Sequence, residues 1–62
     1  MTLQETKPGM LVVYVPNHAN GDRKHKDSEI GVIVKVHSVY VFVKFKEGAT
    51  PKACYPESLV LA

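Results

Sequence analysis

Four side chains able to bind a metal or move a proton, His18, Asp22, His25 and Asp27, fall within ten residues of one another, and Cys54 is the only thiol of the chain. Two imidazoles and a thiolate, completed by a carboxylate or water, suit zinc. His18, His25 and Cys54 are therefore the candidate metal set, with zinc as the one cofactor these residue types suggest. The competing reading makes the loop residues solvated and Cys54 a small buried hydrophobe. Cys54 with His18 or His25 is also the only nucleophile–base pair the chain offers. It has no glycine-rich phosphate loop and no carboxylate pair, and so small a domain rarely shelters a reacting centre. Catalysis is not expected.

A second group points to polyanions. Lys35, Tyr40, Phe42 and Lys44 interleave cations with aromatic rings, and Ile33 lies between them. Rings that stack on bases beside cations that meet phosphates are what single-strand binders use. A protein–protein interface draws on the same ingredients, and a covering loop would leave the lysines as plain solubilising charges. Arg23, Lys24 and Lys26 add mobile positive charge, but Asp22, Asp27 and Glu29 flank them and bring the local balance near zero. The candidate contact set for nucleic acid or a partner is thus Lys35, Tyr40, Phe42 and Lys44, helped by Arg23, Lys24 and Lys26.

The element that must position that face is a hairpin over residues 29–46. Ile30, Val32, Val34 and Val36 alternate with Gly31, Ile33, Lys35 and His37; Val39, Val41, Val43 and Phe45 alternate with Tyr40, Phe42, Lys44 and Lys46. Period-two alternation built from β-branched residues predicts two strands. A two-residue turn at His37 and Ser38, or a four-residue loop over 36–39, pairs Val36 with Val39, Val34 with Val41, Val32 with Val43 and Ile30 with Phe45. That register makes one face wholly apolar, and a slip of one residue would mix the two faces.

The remaining elements are short. Residues 1–6 are expected as a flexible lead-in and 7–62 as a single small domain. Residues 10–15 are apolar, end at Pro16 and predict a first strand, whose inward set is either Met10, Val12 and Tyr14 or Leu11, Val13 and Val15. Residues 16–28 hold no apolar side chain larger than Ala19 and predict a long loop, a length often tied to function. A turn over 47–51, a short strand over 52–54, a helical turn over 55–58 and a last strand over 59–61 complete the chain. The fold class expected is all-β: five strands in a strongly bent small barrel, with a long loop after strand 1 and a short helical turn before the last strand.

Bulk composition sets limits. The chain has 62 residues and a net charge of +2 with neutral histidines, which permits a polyanionic partner without requiring one. With 45% hydrophobic residues disorder is not expected. A lone cysteine forms no internal disulfide and fits a reducing, cytoplasmic setting. No apolar run approaches the roughly 18 residues of a membrane span, and no signal-peptide pattern opens the chain. An apolar first strand allows edge-to-edge pairing, so both a monomer and a weak homodimer are consistent with the sequence.

The run Glu29, Ile30, Gly31, Val32, Ile33, Val34, Lys35, Val36, followed by Val41 to Phe45 and closed by Pro56, Glu57, Ser58, Leu59 and Val60, resembles the Src-homology-3-like barrels, among them the KOW, Tudor and Agenet modules. The wider pattern, Tyr14-Val15-Pro16, His18-Ala19, Gly21-Asp22, His25, Glu29, Gly31, Ala53-Cys54 and Pro56-Glu57, resembles a group of short proteins of phages and their bacterial hosts. The barrel resemblance implies that the long loop folds towards the turn before the last strand, where His18, His25 and Cys54 can meet. It also implies a groove walled by Tyr14, Tyr55 and Pro56. In function it implies a nucleic-acid module, with a phage module that engages a host protein as the alternative.

Overall fold

The structure is a computed structural model that describes residues 1–46, 48 and 50–62. Five strands form it: β1 (Leu11–Tyr14), β2 (Glu29–Val36), β3 (Val41–Phe45), β4 (Lys52–Cys54) and β5 (Leu59–Leu61). All pairs are antiparallel, in the order β4-β3-β2-β1-β5. The sheet curls into a half-barrel around one core. The helical elements among the described residues are three short 3-10 turns, Leu3–Glu5, Asn17–Ala19 and Pro56–Ser58, and no helix is long and apolar enough to cross a membrane.

The curl encloses Val12, Ile33, Val41, Val43, Cys54 and Leu59, with Tyr14, Val36 and Phe45 packed against them. On β1, Val12 and Tyr14 face this core. Val13 and Val15 face the other way and are buried with Ala19 of the long loop. Members of both sets weighed from the sequence are therefore buried, with Leu11 left exposed, because each side of β1 is covered by a different part of the chain. The segment expected as a lead-in carries structure of its own: the Glu5 carboxylate accepts hydrogen bonds from the Thr2 N–H at 2.7 Å and its hydroxyl at 3.0 Å, and Met1 and Leu3 pack on the core.

The hairpin forms, but not in the expected register. Ile33 pairs with Val43, Val32 with Lys44 and Gly31 with Phe45; beyond a bulge at Val34, Lys35 pairs with Phe42 and Val36 with Val41. The connection is four residues, 37–40, closed by the His37 N–H donating to the Tyr40 carbonyl at 2.8 Å. This shift turns Ile33 into the core, fully buried, while Ile30 and Val34 are half exposed at 50% and 42%. The physical reason is the bulge. An extra residue on one strand breaks the alternation, so Ile33 before it and Val36 after it both point inward at a spacing no uninterrupted strand allows. The turn expected over 47–51 includes Glu47 and Ala49, which lie outside the described residues.

Candidate functional site

The outer face of β2 and β3 collects the predicted contact residues. Lys35 lies directly opposite Phe42, and Lys44, two residues further along β3, shares Phe42's side of the sheet. At the hairpin end the rings gather. His37 stacks on Tyr40 with centroids 4.9 Å apart and planes 17° from parallel. Both rings meet Phe42 edge-on at 5.4 Å. Tyr40 is brought into this cluster by the loop that closes the hairpin rather than by a strand. Phe42 is half-buried against these rings, and Ile33, expected beside it, is in the core instead. Lys35 and Lys44 are exposed, and among the described residues the ion pairs involve only histidine and Asp27. His37 is the member that the sequence reading missed. Its position three residues before Tyr40, across a tight connection, was the available signal.

Arg23, Lys24 and Lys26 are exposed on the long loop. That loop is a chain of overlapping turns: Ala19 N–H donates to the Pro16 carbonyl, Asp22 to Ala19, His25 to Asp22 and Ser28 to His25, at 2.9–3.0 Å. Asn20 takes the left-handed conformation at φ 52°, one that asparagine tolerates well. Asp22 organises the centre, its carboxylate accepting the Lys24 N–H at 2.9 Å and its carbonyl the Ser28 hydroxyl at 3.0 Å.

The loop also brings His18, His25 and Asp27 together. His18 Nε2 is 2.7 Å from Asp27 Oδ2, and His25 Nδ1 is 3.9 Å from the same oxygen. The two imidazole rings meet edge-on at 5.4 Å. Cys54 is not part of this cluster, although it lines one depression with Asp27. It is buried in the core, its Sγ donating to the Lys52 carbonyl at 3.7 Å, and burial pushes its thiol pKa up, with Glu29 adding to the rise and Lys52 opposing it.

The groove residues are split as well. Tyr14 is half-buried and meets Phe45 edge-on at 6.2 Å, in a depression that Cys54 also lines. Tyr55 and Pro56 line a different depression beside Met1 and Val39. A further cleft on the outer face is lined by Leu11, Ile30, Val32 and Val34, with Lys44 and Lys46 at its margin.

Compared with protein-family models, with curated proteins and with solved structures, the chain matches none of them.

Proposed function

We propose that this chain is a non-enzymatic binding module that contacts nucleic acid, RNA or DNA, through the outer face of β2 and β3. One observation carries the reading: Lys35 and Lys44 flank Phe42 on an exposed face, and the ring cluster of His37, Tyr40 and Phe42 lies at its end. Exposed lysines on such a face can meet phosphates, while the aromatic rings beside them offer a base something to stack on. Arg23, Lys24 and Lys26, exposed on the long loop, add further short-range phosphate contacts. The strand order, the long β1–β2 loop and the 3-10 turn before β5 support a Src-homology-3-like barrel of the KOW type, whose members commonly serve such roles. A cytoplasmic setting agrees with the single buried cysteine. That same burial argues against a thiol nucleophile.

The test is fluorescence anisotropy with mixed-sequence single-stranded RNA and DNA at low salt. Binding is expected to weaken steeply as salt rises, with a slope of about −0.7 per phosphate neutralised on a single strand. The Lys35→Glu, Lys44→Glu double variant should lose binding with its melting temperature nearly unchanged. Undiminished binding by that variant overturns the assignment of the face.

A second reading has its own observation. Leu11, Ile30 and Val34 are 53%, 50% and 42% exposed and line one cleft, the kind of apolar ground a protein partner covers. A phage-encoded module that engages a host protein fits it. Binding that ignores salt and fails in Ile30→Asp would favour this partner over nucleic acid.

A further inference from the structure

We propose that His18, His25 and Asp27 form a binding site for a divalent transition metal of the zinc class, with water completing the coordination. The site is separate from the hairpin face and does not depend on its function. It replaces the thiolate expected from the sequence with a carboxylate, because Cys54 is held in the core.

The argument is geometric. One ligand atom from each of the three residues lies within 4.8 Å of the others. Zinc bonds of about 2.0–2.2 Å to nitrogen and oxygen in tetrahedral array set neighbouring ligand atoms roughly 3.3–3.6 Å apart. The His18 Nε2–Asp27 Oδ2 distance of 2.7 Å and the His25 Nδ1–Asp27 Oδ2 distance of 3.9 Å straddle that value, so binding requires side-chain rotations that open the first and close the second. Two imidazoles and a carboxylate are a donor set that imidazole-preferring metals accept. The backbone beneath them is already fixed by the successive turns at Ala19, Asp22, His25 and Ser28, and Ala19 pins the loop to β1.

Two terms oppose binding. The Asp27 N–H donates to His25 Nδ1 at 3.0 Å, and the ion must displace that contact if it takes this nitrogen. Arg23, Lys24 and Lys26 place positive charge on the same loop, but they are exposed and screened by solvent and salt. Asp22 is committed to the Lys24 N–H and is not part of the set.

The test uses metal-free full chain titrated with Zn²⁺, followed by imidazole NMR and thermal melting, with Co²⁺ absorption as a second probe. The expected result is saturation at one equivalent, with shifts on the His18 and His25 rings, a higher melting temperature and tetrahedral-type cobalt bands. His18→Gln, His25→Gln and Asp27→Asn should each weaken affinity at least tenfold. His37→Gln and Cys54→Ala should leave it unchanged. His18 and Asp27 are exposed, His25 is half-buried and Cys54 is buried, so the folding of every variant is checked directly by the amide spectrum. Zinc that moves neither imidazole overturns the proposal, and so does affinity that survives His25→Gln or is lost in Cys54→Ala.

Discussion

Gly31 lies directly opposite Phe45 across β2 and β3, and its missing side chain is what admits the ring. A Cβ at Gly31 would meet Val43 Cγ1 at 2.6 Å, Phe45 Cδ1 at 2.9 Å and the Lys44 carbonyl oxygen at 3.0 Å. Val43 is stiff at χ1 and fully buried, and Phe45 is held by its edge contact with Tyr14, so neither yields freely. Overpacking of this kind costs about 1–3 kcal/mol. Gly31→Ala is therefore expected to lower the melting temperature by about 4–8 °C for each kcal/mol lost, measured by calorimetry. A variant as stable as the parent would mean that β3 can retreat.

The bulge at Val34 separates two neighbours that look interchangeable in the sequence. Ile33 is fully buried against Val43 and Leu59, whereas Val34 is 42% exposed. Ile33→Ala removes core packing and should cost about 2–5 kcal/mol. Val34→Ala should cost well under half of that. Urea melts of the two variants check the pair, and equal losses would contradict the register.

That contrast marks where the sequence stops being legible. The all-β class, the hairpin, the β4 strand, the 3-10 turn at Pro56 and the last strand follow from alternation and from Pro and Gly punctuation. The register does not, because positions 30, 32, 34 and 36 are all apolar, while the fully buried Ile33 sits on the other parity between Gly31 and Lys35. A scheme that places four branched residues inward satisfies local pairing as well as the true one does. What decides between them is tertiary: the room that Gly31 leaves for Phe45 and the bulge that turns Ile33 and Val36 inward together. The loop cluster was half legible. His18, His25 and Asp27 are close in sequence and close in space, but which of Asp27 and Cys54 joins the histidines depends on which side of the sheet Cys54 faces, and in so short a strand no alternation reveals that.

The burial of Cys54 gives a pH signature. Burial raises its thiol pKa above the ordinary value, so the folded state keeps its proton after the unfolded chain has lost it. The stabilisation is fully present below the unfolded-state pKa, about 8.5, and is lost as pH rises through the folded value. Urea melts from pH 7 to pH 10 should show this decline, and Cys54→Ala should flatten its first part. A thiol reagent at pH 8 should react far more slowly with folded protein than with the protein in urea. Equal rates would show that the thiol is open to solvent.

The ring cluster makes the most direct demand on the nucleic-acid reading. His37 packs on Tyr40 and both brace Phe42; on that reading Tyr40 is the ring to stack on a base, with Phe42 anchoring the cluster. Stacking on an aromatic side chain is worth about 1–3 kcal/mol per base, equivalent to roughly fivefold to more than a hundredfold in affinity. Tyr40→Ala should weaken single-strand binding within that range at every salt concentration, leaving the salt slope unchanged, because no phosphate contact is lost. Lys44→Gln should do the reverse, reducing the magnitude of the slope by about 0.7 for one phosphate contact on a single strand. Anisotropy titrations at three salt concentrations separate the two effects. If Tyr40→Ala changes neither affinity nor slope, the rings serve only to close the hairpin, and the lysines meet their partner without them.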